Sequence, residues 1–421
     1  GFSGFVYAVG VSALWMVPGI LGGYVISWLW FGPRLRLEAE EKGHVTLTDF
    51  LVGAGSGPYA RLLATGAAIL TAFCFIFYVA AQFDAAATAF VSQFGMNFTL
   101  SVLLGAAIIV IYCLLGGFWA VSVTDALQGV VMLTVAVILP VSALFLALDG
   151  NGMESRSMAP LLDWQGGRTG WVLIGFVMGT MGVGLGALGQ PHLLNRLMAV
   201  KDDAARRQGF AYSIIWAVLV YAGMATLAMS ARALSINVTD GEAMFYQMAV
   251  TVLPPVFAGI VIAAILSAVM STVDSVLLAA AGAVAHDTGM AQHFKGSELL
   301  ISRVVMLTIA VLAVILTLTT PASIFDRVLF SWAALGAAFG PIVVTRVMGL
   351  ESSTGARFWA MITGFGGALL FSMSESLGEA GGIITDMANA PGDPFERVFP
   401  WILPLLILSI NAMRARKLRH A

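Results

Sequence analysis

Stretches of about twenty apolar residues recur along nearly the whole chain, and this recurrence restricts the possible folds more than any other feature. Read with a window of ~19 residues, eleven runs lie near 6–30, 59–92, 99–116, 120–148, 170–190, 209–236, 254–286, 300–319, 322–347, 355–375 and 397–413. A helix of ~20 residues crosses the hydrocarbon core of a bilayer. Lipid offers no partner to a backbone N–H or C=O, so each run is predicted to be a helix. The alternation of a membrane β-barrel is absent. Charged residues make up only 10% of the 421, against ~25% in soluble proteins. They cannot cover a soluble body of this size, which excludes a soluble enzyme and a disordered chain. The 21 basic and 23 acidic residues leave a net charge of −2, so no footprint for nucleic acid exists.

The basic residues segregate. Sixteen of the 21 fall on one set of alternate loops, among them Arg34, Arg36, Arg196, Lys201, Arg346, Arg414 and Lys417. The other set holds five: Arg156, Arg168, Arg232, Arg327 and Arg397. The richer side is expected in the cytoplasm, and the C-terminus with it. The expected arrangement is one transmembrane domain over 1–421, with its longest loops, about 149–169 and 376–396, outside. The chain opens at Gly1 inside a membrane-like run and shows no signal peptide, which reads as a truncated start. Cys74 and Cys113 both lie in apolar runs and read as free buried thiols. Gly179 to Gly189 is Gly-rich but lacks the Lys-Ser/Thr of a phosphate-binding loop. No nucleophile–base pair with useful spacing is visible, so an enzyme is not expected.

A carrier holds its cargo at mid-membrane, where a helix unwinds and frees carbonyls and helix ends. Two segments are candidates. Residues 179–191 carry Gly179, Gly182, Gly184, Gly186 and Gly189 before Pro191; residues 331–341 carry Gly336, Gly340 and Pro341. Each Gly costs a helix interior ~1 kcal/mol and Pro ~3. Close packing through small residues is the alternative for both. Three acids, Asp84, Asp125 and Asp274, lie well inside spans, and no basic residue does. Charges at that depth are expensive and mark functional sites. Without a protein cation beside them, they point to a proton, Na+ or a cationic solute group. Ala268, Ser271, Thr272 and Ser275 follow i, i+3, i+4, i+7 and share a helix face. A carbonyl and two hydroxyls there offer neutral oxygens to a hard cation, although such hydroxyls also bond back to their own helix. Tyr78 and Gln82 share a face of their span; Asp84 points elsewhere. Trp171, Trp216 and Trp332 read as packing or interfacial anchors.

Six segments in order resemble the sodium:solute symporter family, especially its bacterial sodium/proline members: 23–36, 46–50, 116–128, 184–199, 263–287 and 331–344. The resemblance covers nearly the whole chain. It implies an all-α inverted-repeat fold of the leucine-transporter type with extra C-terminal helices, its first core helix truncated. It also implies Na+ at Ala268, Ser271 and Thr272 on the eighth core helix, and an ion route past Asp125. It implies further Na+ ligands and an essential acid in the first core helix, whose outer end GFSG at 1–4 resembles. Tyr78 and Pro191 match substrate-facing positions of that family. Its proline transporters carry Trp and Tyr where this chain has Val183 and Ala187, so a larger, less aromatic solute pocket is expected. The expected solute site comprises Tyr78, Gln82, Asp84, Gly182, Val183, Gly186, Ala187 and Pro191, and the ion pathway Asp125 and Asp274. Asp84 could meet a cationic group on the solute. The function implied is Na+-coupled import of a small organic solute, proline or another amino acid, across a bacterial cytoplasmic membrane. A proton-coupled carrier and a solute-sensing module of a signalling protein are the alternatives. The lipid bilayer is the expected partner, nucleic acid is not, and the oligomeric state is left open.

Overall fold

The computed structural model describes residues 1–115, 118–149, 158–236, 241, 243–289, 298–320, 322–374 and 382–420. Gly116 and Gly117, which open one matching segment, lie outside them. Among the described residues every regular element is helical. A short helix α1 (Phe2–Val9) turns through a 3-10 segment, Gly10–Trp15, into α2 (Met16–Val25), which runs on through a π segment, Ile26–Phe31, into α3 (Gly32–Lys42). There follow α4 (Leu47–Val52), α5 (Pro58–Phe94), α6 (Phe98–Leu115) and α7 (Phe118–Asp149). The second half contains α8 (Gly170–Gly186), α9 (Pro191–Met198), α10 (Asp203–Ala233), α11 (Met244–Val252), α12 (Pro255–Gly282), α13 (Glu298–Thr319) and α14 (Ile324–Val347). Last come α15 (Thr354–Ser372), the short α16 (Gly382–Ala388) and α17 (Pro394–Arg397), and α18 (Ile402–His420).

Ten helical segments are long and apolar enough to span a membrane. They match ten of the eleven predicted runs. The remaining run forms α15, of spanning length at 19 residues, but Arg357 and its glycines dilute its hydropathy. Side chains such as Ile69, Ile111, Phe145, Leu300 and Ile315 stand exposed around the bundle, as lipid-facing surface requires. The helix α14 is the opposite case. Its most apolar window is 83% buried, against 22% for α13, so α14 runs through the protein interior.

The packing has a pseudo-two-fold pattern. The first repeat is α1, α2–α3, α5, α6 and α7; the second is α8–α9, α10, α12, α13 and α14. Several contacts come in mated pairs: α2 packs on α8 as α10 packs on α1, α5 on α14 as α12 on α7, and α5 on α6 as α12 on α13. Five helices per repeat reverse the direction of the second in the membrane, so this is an inverted repeat. The remaining long helices, α15 and α18, pack on each other and on α14.

The glycines predicted to unwind the chain mostly serve contact instead. A Cβ on Gly184 would stand 1.9 Å from the Gly19 carbonyl oxygen, and one on Gly23 would stand 2.3 Å from that of Gly184. On the other side of this segment, Gly186 meets Trp332 of α14 and Gly189 meets the Leu335 carbonyl. Small residues permit such backbone approach in membranes. The helix therefore continues through Gly186, and the break comes later: a 3-10 turn at Ala187–Gly189, then Gln190 in an extended conformation. Pro191, with no N–H to waste, starts α9. The second predicted break, 331–341, does not occur; Pro341 sits inside continuous α14. Gly184→Ala is expected to lower the thermal-unfolding midpoint of the detergent-purified protein, as overpacking of ~1–3 kcal/mol would. Gly366→Ala, where an added Cβ would meet nothing within 4 Å, should leave it unchanged or raise it.

At the end opposite the basic loops, residues 158–167 fold onto the α1–α2 junction. Trp15 Nε1 donates to the Trp164 carbonyl at 3.1 Å. Gly10, at φ 72°, is pressed against the Leu161 backbone. Asp163 closes the loop by accepting from the N–H groups of Gln165 at 3.0 Å and Gly167 at 2.7 Å. Those bonds hold its carboxyl below the usual carboxylate range.

Candidate functional site

The helix α12 crosses the middle of the bundle and carries Ala268, Ser271 and Thr272. Two cavities meet it there. One, of about 390 Å3, opens toward the end opposite the basic loops and touches Ser3, Tyr24, Gln82, Trp216, Tyr221 and Ala268. The other, of about 470 Å3, lies toward the basic end and touches Tyr24, Ser27, Asp125, Arg196, Trp216 and Ser271. Tyr24 of α2 and Trp216 of α10 line both, so these two aromatics form the partition. The face of α12 passes from one cavity to the other in a single turn, with Ala268 on one side and Ser271 on the other. Thr272 Oγ1 donates to the Ala268 carbonyl at 2.8 Å, the bond back to its own helix that was the alternative reading of these hydroxyls. The donor set is neutral oxygen, suited to a hard monovalent cation.

The intramembrane acids are not all without protein cations, contrary to the sequence reading. Arg196 on α9 reaches Asp125 Oδ2 at 2.5 Å and Ser275 Oγ at 2.6 Å. It thereby ties α7 to α12 across the cavity at the basic end. Arg327 on α14 reaches Asp84 Oδ2 at 3.1 Å and also donates to the Thr320 carbonyl at 2.5 Å. Asp84 thus has an arginine within the protein where a cationic solute group was expected. Both arginines were assigned to loops from the sequence; the fold carries them back into the bundle. Asp274 is different. It is fully buried, Ser275 Oγ lies 3.1 Å from its Oδ1, and its Oδ2 has no hydrogen-bond partner among the described residues.

Of the eight expected solute residues, Gln82 alone lines either of these two cavities. Tyr78 is buried with its ring edge-on to His192, 5.9 Å between centroids. Gly182 faces Arg397 and Val398, and Gly186 faces Trp332. Val183 belongs to an apolar cluster with Met16, Ile20 and Leu329. Ala187 packs near Gly23, and Pro191 is buried at the start of α9. The reason is the position of the break. With the helix intact to Gly186, the backbone of 182–187 is not free to face a solute. The sequence reading missed Tyr24 and Tyr221 and gave Trp216 a packing role. The available signal was tyrosine in the middle of an apolar run, where its hydroxyl must find a polar neighbour.

These features define a polytopic carrier: an inverted repeat, a broken helix beside α12, and two cavities approaching one oxygen-bearing face from opposite ends. The sequence matches the sodium:solute symporter family over residues 1–364, and the chain belongs to that family. Membership makes it a transporter, not an enzyme, with Na+ as coupling ion. It is 32% identical over 426 residues to the osmoregulated proline transporter OpuE of Bacillus subtilis, covering 98% of this chain and 82% of the relative. It is 31% identical over 385 residues to the sodium/proline symporter of Escherichia coli, covering 86% and 75%. A Na+-coupled sialic acid symporter, solved in a substrate-bound outward-open state, superposes with a TM-score of 0.67 at 13% identity, over 99% of this chain and 88% of that one. That likeness is one of fold.

Proposed function

We propose that this chain imports a small amino acid, proline in the first instance, by Na+-driven alternating access across a bacterial cytoplasmic membrane. The observation carrying this reading is the face of α12, whose Ala268 and Ser271 front separate cavities on either side of Tyr24 and Trp216. The names of the relatives support proline. Ala268, Ser271 and Thr272 hold part of the Na+ shell, and Asp125 and Asp274 lie on the path from it toward the basic end. Gln82 and the aromatic wall of Tyr24, Trp216 and Tyr221 receive the solute, which offsets the absence of aromatics at Val183 and Ala187. Gly182, Gly186, Tyr78 and Pro191 shape the wall behind. Positive charge concentrated at one end sets that end, and the C-terminus with it, in the cytoplasm. One Na+ moving inward across 100 mV releases ~2.3 kcal/mol. Coupling is mutual: the ion raises solute affinity by the factor by which solute raises that of the ion.

Proteoliposomes holding the full-length protein test this. Labelled L-proline is expected to accumulate under an inward Na+ gradient and not when choline replaces Na+. Uptake that persists in choline would show a proton-coupled carrier, with Asp274 the first acid to examine. Na+-driven uptake of another amino acid from a competitor panel, without proline uptake, would keep the symporter and move the solute. No uptake of any of them would favour a sensor.

A further inference from the structure

A second polar cluster lies at the basic end, apart from both cavities. The helix α4 packs against the π segment Ala283–Asp287 that ends α12. Asp287 is sealed from water at 0% side-chain exposure, yet its Oδ2 has no hydrogen-bond partner among the described residues. Its Oδ1 accepts from Thr46 Oγ1 at 2.7 Å. His286 places Nδ1 3.6 Å from Asp287 Oδ1 and Nε2 3.9 Å from Asp49 Oδ2. Asp49 Oδ2 also accepts from the N–H groups of Val45 at 2.8 Å and Thr46 at 3.2 Å, capping α4. One potential ligand atom from each of Asp49, His286 and Asp287 lies within 4.8 Å of the others. Among the described residues, no lysine or arginine pairs with either carboxylate.

Capping explains Asp49, and the hydroxyls of Thr46 and Thr48 serve the Asp287 carboxylate. Neither supplies a cation to a sealed carboxylate beside an imidazole that faces two acids. A buried anion needs a cation or a full set of donors. We propose that Asp49, His286 and Asp287 bind a divalent transition-metal ion of the Zn2+ class. One imidazole and two carboxylates are a borderline donor set. They suit Zn2+ better than Cu+, which takes thiolates, or Ca2+, which takes six or more oxygens. The Thr46 hydroxyl is the outer partner that orients a ligating carboxylate. His286, 44% exposed, gives the ion its way in. Bound there, the metal ties α4 to the inner end of α12, the helix that bears Ser271.

The test uses full-length protein stripped with chelator, with Zn2+ titrated against a chromophoric competitor. Wild type should bind one tight equivalent that His286→Ala weakens at least ~10-fold, the loss already known for outer-sphere partners. Zn2+ should raise the unfolding midpoint of wild type and not that of His286→Ala. In His286→Cys, Co2+ should give a thiolate charge-transfer band in the near ultraviolet. Unfolding without metal reports whether each variant is intact. Equal tight binding in wild type and His286→Ala overturns the assignment, as does wild type with no tight equivalent.

Discussion

Replacing Ser271 and Thr272 together by alanine is expected to cut Na+-driven uptake at least about 100-fold at low Na+. A hydrogen-bonding or coordinating oxygen facing a charged group contributes about 1.5–3 kcal/mol. Two lost oxygens therefore weaken the ion site by ~3 kcal/mol or more, and 1.4 kcal/mol is a factor of ten. The fold should tolerate the change. Thr272 Oγ1 bonds only back to the Ala268 carbonyl of its own helix, and Ser271 lies at a cavity wall. The measurement is initial uptake rate against Na+ concentration in proteoliposomes. The curve should shift to higher Na+, with solute affinity falling alongside because the two are linked. An unchanged Na+ dependence would remove α12 from the ion site.

The second large effect is on stability. Arg327 and Asp84 have side chains only 4% and 17% exposed. Arg327→Gln leaves a carboxylate without its arginine in a water-poor setting, a loss of about 3–5 kcal/mol for a broken buried pair. The unfolding midpoint in detergent should drop sharply. Adding Asp84→Asn to that variant should recover much of the loss, since a neutral pair no longer strands a charge. Losses that simply add would show that the two side chains are not coupled. The same pair bears on solute choice: Asp84→Asn should change stability more than the competitor profile.

The limits of sequence reading follow from what each signal measures. Apolar runs report removal from water, whether into lipid or, as for α14, into the protein. The existence and order of the spans were therefore legible while some ends were not, the first running from Phe2 to Lys42 where the apolar run covers 6–30. Cys74 and Cys113 were legible as free buried thiols. Where the signal was ambiguous in kind, the reading slipped. Glycine destabilises an isolated helix and also lets two helices touch; only the partner backbone at Gly19 or Trp332 decides between these, and it lies far away in sequence. Asp84 and Asp125 looked unmatched because their partners are 243 and 71 residues distant. Both partners were expected at the water interface, but long arginine side chains reach inward from helix ends. The hydroxyl pattern at 271–272 was local, and the fold places Ser271 at the wall of the cavity toward the basic end. The aromatic partition was missed because Tyr24, Trp216 and Tyr221 have no local pattern in common.

The glycine contacts on α8 have a mechanical consequence. Where backbone meets backbone, as at Gly184 with Gly19 and at Gly186 with Gly336, no rotamer can absorb a displacement. The three helices α2, α8 and α14 are packed backbone to backbone, which resists the sliding of one past another. The seam around Tyr24, Trp216 and Ser271 is made of side chains with torsions to spare. Compliance belongs to that seam and rigidity to the glycine contacts. Any cycle that opens one cavity while closing the other must therefore spend its motion at the partition.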